Sequence, residues 1–226
     1  MKKTFLLFAF AAAGLFLLSV PVKAQSANNG KQEKNLRSVK NHVLTSKEMP
    51  DVKLKFGKDF KYAGNQDFIL YDVARAEQHF FVDTDGKGNI KRLYWIQFEG
   101  YLPENNHSYF YISQKVVNIG GLDFYADAFA RDLKDNQGRP DSDVSRAKKF
   151  LEDKGFRIAG SDVLMQRLVH LVDKEKRNEL MIIYLEDMTE TGFTAADFAK
   201  GNNKAEWKTV SEQLLARAQK DFEISR

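Results

Sequence analysis

From Val52 to Ile112 apolar and polar residues alternate in short runs rich in aromatic and β-branched side chains. That period of two commits the chain to a fold built on antiparallel strands. The runs are Val52 to Phe56, Phe68 to Val73, His79 to Val82, Ile90 to Tyr101 and Ser108 to Ile112. Asp83-Thr84-Asp85-Gly86-Lys87-Gly88-Asn89 separates two of them and supplies the glycine and Asx residues of a tight hairpin. A second hairpin is predicted from Val163–Val172 to Leu180–Glu186, across Lys174-Glu175-Lys176-Arg177-Asn178.

Helical spacing appears elsewhere. Leu122, Tyr125, Phe129 and Leu133 would share one helix face, with Asp127 and Arg131 as an i,i+4 pair. Val144, Ala147 and Leu151 predict another helix, with Pro140-Asp141-Ser142-Asp143 offering caps in front and Gly155 a stop behind. Trp207, Val210, Leu214 and Ala218 form a last stripe, with Leu215 and Phe222 beside it. The expected class is α+β: an antiparallel sheet of about five to seven strands, helices packed against it, and a C-terminal amphipathic helix.

The N-terminus carries an address. Lys2 and Lys3 precede an apolar run from Phe5 to Val20, and Val22-Lys23-Ala24 forms a small-residue cleavage site before Gln25. Residues 1–24 therefore read as a signal peptide, too short and too soon stopped by Pro21 for a membrane span, and the expected location is periplasmic or secreted. Residues 25–41 read as a flexible tether and 42–226 as a single α+β domain. The whole chain has a formal charge of +4, but loss of Lys2, Lys3 and Lys23 leaves the remainder near neutrality. No charge excess then argues for nucleic acid or an anionic membrane as partner.

The chain has no cysteine, which excludes thiol catalysis, disulfide exchange and thiolate metal sites and leaves the core to hold the fold unaided. His42, His79, His107 and His170 are scattered without metal-ligand spacing, and no phosphate-binding, dinucleotide-binding or nucleophile-elbow motif occurs. Asp83 to Ile90 matches part of a calcium loop but places Lys87 and Tyr94 where ligands are needed. No metal and no cofactor is indicated.

The most unusual segment is Arg92–Tyr101. Tyr94, Ile96 and Phe98 would point to one side of a strand, and Leu93, Trp95, Gln97, Glu99 and Tyr101 to the other. Aromatic walls with a few polar groups suit a small-molecule site, so Trp95, Gln97, Glu99 and Tyr101 are candidate ligand contacts. Arg167 joins them, through a pair with Glu99 or Glu186. The leading expectation is a non-enzymatic protein that binds a small apolar or aromatic ligand, or a partner protein, on this face. One alternative is a hydrolase-like enzyme using Glu99 or Asp187 with His170 in acid–base chemistry. The other is a structural or assembly factor.

Overall fold

The computed structural model describes residues 36–113, 115–134, 139–158 and 160–226, so the leader at 1–24 and the tether up to residue 35 lie outside the described residues. In chain order the strands are β1 (Arg37–Lys40), β2 (Val43–Ser46), β3 (Val52–Phe56), β4 (Lys61–Leu70), β5 (Ala74–Thr84), β6 (Asn89–Tyr101), β7 (Val116–Ile119) and β8 (Leu122–Asp132). Helix α1 (Asp143–Asp153) follows, then β9 (Arg157–Ile158), β10 (Asp162–Leu171), β11 (Asn178–Asp187), helix α2 (Lys204–Lys220) and β12 (Phe222–Ser225). A four-stranded sheet has the order β1-β2-β3-β12, and a larger sheet the order β4-β5-β6-β11-β10-β8-β7, with β9 running parallel to the start of β6. The architecture is the α+β arrangement expected, with a second, smaller sheet in addition.

Strand β6 sits at the centre because both of its faces are apolar. Tyr94, Ile96 and Phe98 lie opposite Tyr184, Ile182 and Leu180 of β11. Together they pack against Leu44, Leu54, Phe56 and Phe222 of the small sheet and Leu214 and Ala218 of α2. Burial of each such side chain is worth about 1.5–3 kcal/mol. The one polar atom of Tyr94 is satisfied there, its hydroxyl donating to the Ala218 carbonyl at 2.7 Å. On the second face, Leu93 and Trp95 join Ile183 and Leu185 beneath Ala147 and Leu151 of α1. The sheet is therefore the middle layer of three.

Helix α1 begins where the sequence punctuates it. The Ser142 hydroxyl accepts from the Ser145 N–H at 3.1 Å, satisfying one of the donors a helix start leaves unpaired. Behind the helix, Gly155 has a φ of +83°, a conformation that costs a residue with a side chain and costs glycine nothing.

Four expectations need correction. Residues 122–132 form strand β8, not a helix: Leu122, Phe124 and Ala126 are buried on one side, and β10 and β7 pair along its two edges. Ser108–Ile112 belongs to no strand and crosses the sheet as a strap. Strand β1 lies inside the stretch read as a tether, so the fold begins by Arg37. Phe222 follows α2 in strand β12, which completes the small sheet beside β3. Gly120-Gly121 forms the two-residue turn between β7 and β8, and the described residues belong to one unit. No helix among the described residues is long and apolar enough to cross a membrane.

Candidate functional site

The second face of the large sheet is only partly covered by α1. Between the helix and the sheet lies a cavity of about 710 Å³, within the range of small-molecule sites. Trp95, Met165, Met181 and Ile183 form its floor, and Ala147 and Leu151 its roof. Arg167 and Asp143 stand among its walls. A second hollow, of about 820 Å³, lies beside β8 between Ala128, Ala130, Phe198 and Trp207, and offers fewer large apolar side chains.

A ladder of polar side chains continues the floor beyond Trp95. Register places Gln78 opposite both Gln66 and Gln97. Gln66 Nε2 donates to Gln78 Oε1 at 2.7 Å, and Gln78 Nε2 to Gln97 Oε1 at 2.8 Å. The Trp95 indole N–H also donates to Gln97 Oε1, at 3.2 Å. Gln97 Nε2 then donates to Glu99 Oε2 at 2.5 Å, and the Tyr109 hydroxyl to Glu99 Oε1 at 2.8 Å. Each amide so engaged avoids the cost of an unsatisfied buried polar group and locks its neighbour's orientation.

Glu179 faces Glu99 directly across the β6–β11 pair. Its carboxylate accepts from the Tyr111 hydroxyl at 2.6 Å, and the Arg167 guanidinium lies 5.1 Å from the Tyr111 ring. Burial pushes the Glu179 carboxyl up to about 8; the Tyr111 hydrogen bond opposes this and the neighbouring Glu99 adds to it. Burial likewise raises Glu99 and Asp143 above the usual carboxylate range. The strap that supplies Tyr109 and Tyr111 is pinned by the Tyr109 N–H, which donates to the Lys176 carbonyl at 2.8 Å.

The residues singled out from sequence divide sharply. Trp95 and Arg167 line the cavity. Gln97 and Glu99 lie behind it in the ladder, and Tyr101 stacks on Tyr109 at 4.5 Å, outside the lining. Arg167 pairs with neither Glu99 nor Glu186. Its Nη2 donates to Asp127 at 2.7 Å, and Glu186, on the opposite face with Tyr184, is held by Arg217 at 2.5 Å. Asp127 thus serves a neighbouring strand, not an i,i+4 partner.

The proposed acid–base set does not assemble. His170 packs on Phe124, on the far side of the sheet from Glu99, and its Nδ1 lies 3.0 Å from the Asp123 carbonyl. Asp187 accepts from the Thr189 N–H at 2.6 Å and from the Thr189 hydroxyl, which is turn chemistry. A separate polar chain on that far side runs from Arg37 through Glu77 and His79 to Tyr62 and anchors β1 to β5. Burial pushes the Tyr62 hydroxyl up to about 12, which makes it a poor nucleophile. Among the described residues no group of three or more His, Asp or Glu could hold a metal ion.

Sequence reasoning passed over Glu179, Tyr109 and Tyr111. Glu179 had a visible signal, since it opens the strand face that continues through Met181, Ile183 and Leu185 and is the acid nearest Glu99 in register. No family model, curated protein or solved structure matches this chain.

Proposed function

We propose that this is an extracytoplasmic, non-enzymatic protein that binds a small apolar ligand between α1 and the second face of the large sheet. The observation that carries the reading is the cavity of about 710 Å³ floored by Trp95, Met165, Met181 and Ile183. The polar ladder beside it has its hydrogen bonds met from within, so it suits a rigid wall better than a reacting centre. The apolar run and cleavage pattern of residues 1–24 support the location.

Trp95 is only 4% exposed and belongs to the core as well as the wall, so its replacement would confuse binding with folding. Val144 is the better probe, because it lines the cavity and is 40% exposed. N-phenyl-1-naphthylamine is expected to brighten on entering the wild-type cavity. Val144→Trp, which puts a bulky ring into the lining, should weaken that uptake at least tenfold while leaving the melting temperature unchanged. Equal uptake by both proteins would remove the cavity from the function.

A second reading, docking of a partner protein, is favoured by the outward side chains of the strap and adjoining edge strand. Phe110 is 79%, Ile112 85% and Val116 53% exposed, a run of apolar groups unusual on a lone surface. If the partner is a second copy, light scattering of the purified protein will show a mass that rises with concentration. A constant monomer mass removes self-association.

A further inference from the structure

The cavity walls carry more information than apolarity. They are mainly aliphatic, with Trp95, Phe129 and Phe156 as the rings, and two of the floor residues are the pliable Met165 and Met181. Such a surface suits a flexible hydrocarbon tail better than a rigid aromatic plate.

Charge is distributed unevenly along the cavity. Arg131, Lys134, Lys148 and Arg157 are exposed at its rim, with Glu152 4.0 Å from Lys148 and the Asp187 carboxylate beside Gly160 of the lining. Arg157 donates to Asn89 Oδ1 at 3.0 Å, and Arg131 lies over the Phe129 ring at 4.8 Å. Neither contact neutralises a positive charge. The inner end offers no free cation: Asp143 is set in the wall, with Glu99 and Glu179 in the ladder behind it, their carboxyls held toward the neutral form by burial. Arg167, the one cation at that end, is already paired with Asp127.

We propose that the cavity takes an amphiphile tail-inward, with an anionic carboxylate or phosphate head among Arg131, Lys134, Lys148 and Arg157. This rests on the cavity being the binding site. An anionic head driven inward would be stripped of water and brought toward three carboxyl groups; at the rim it stays hydrated and meets four cations. A cationic head meets the reverse pattern at the rim, and a neutral head gains nothing from it.

The test compares ligands of one chain length by displacement of N-phenyl-1-naphthylamine from the wild-type protein at pH 7. Dodecanoate is expected to bind at least tenfold more tightly than dodecan-1-ol, with dodecylammonium weakest, and added salt should narrow the gap. In the variant Arg131→Gln/Lys134→Gln/Lys148→Gln, dodecanoate should fall to the level of dodecan-1-ol, whose own affinity stays constant. Monododecyl phosphate forms a separate arm: tighter binding than dodecanoate assigns a phosphate head, weaker binding a carboxylate, and both results support an anionic head. Equal binding of acid and alcohol to the wild type, or tightest binding of the amine, would overturn the head-group assignment while keeping the cavity. Failure of the dye and all four ligands to bind would overturn the cavity reading itself.

Discussion

Glu179→Gln is expected to raise the unfolding free energy at pH 8 by about 4 kcal/mol and to flatten a decline that the wild type shows from mildly acidic to mildly alkaline solution. Glu179 is 3% exposed, and burial moves its carboxyl from an ordinary value of 4.5 to about 8. Below pH 4.5 the group is protonated in the folded and unfolded chain alike, so it exacts no penalty. As pH rises from there the unfolded chain releases the proton and the folded chain keeps it. Stability then falls by about 1.4 kcal/mol per pH unit until the folded carboxyl itself ionises. Glu99 and Asp143, also raised by burial, act in the same direction. The charged and titratable groups around Glu179 are Glu99 and Tyr101 on β6, Tyr109 and Tyr111 on the strap, Arg167 on β10 and Asp143 on α1. Glutamine keeps an acceptor for the Tyr111 hydroxyl and never ionises. Urea denaturation of both proteins at pH 5 and pH 8 measures the effect; a wild type equally stable at both would refute a buried, neutral Glu179.

Phe222→Ala should cost about 3–5 kcal/mol, the range for truncating a buried aromatic side chain. Phe222 is 4% exposed, its ring meets Tyr94 edge-on at 5.6 Å, and its backbone pairs opposite Phe56. Its neighbour gives the contrast. Glu223 points outward, where its exposed pair with Lys55 at 3.2 Å is worth at most about 1 kcal/mol. Alternating large and small losses at 222 and 223 are the signature of a strand docked on the core, measured by urea denaturation of the two single variants. Comparable small losses at both would mean that β12 does not hold the small sheet.

The segments that sequence reads well are those whose local pattern and tertiary fate agree. Strand β6 carries aromatic and branched side chains on both faces and is buried on both, and α1 has its cap and stop in place. Residues 122–132 satisfy two periods at once. Leu122, Tyr125 and Phe129 fit a helix, whereas Leu122, Phe124 and Ala126 fit a strand, and pairing with β10 decides between them. Phe222 continues the stripe of α2 in sequence, yet the chain leaves the helix just before it. The site was half legible for the same reason. Trp95 and Gln97 share a strand face that can be counted off, but the cavity exists only because α1 crosses above that face. Tyr109 and Tyr111 reach Glu99 and Glu179 from a strap with no period of its own.

The strand orders also fix when the protein can become a protein. Strand β6 finds β5 at once across a hairpin, but its other edge waits for β11, which begins only at Asn178. Strand β3 waits still longer, for β12 at Phe222. Neither layer can be closed by the first half of the chain, and contacts between segments so far apart form slowly. Until the last strand arrives, Phe56, Tyr94 and the rest of the first face have no shelter. Before that point the chain carries unpaired strand edges and uncovered aromatic side chains, the surfaces through which incomplete folds associate.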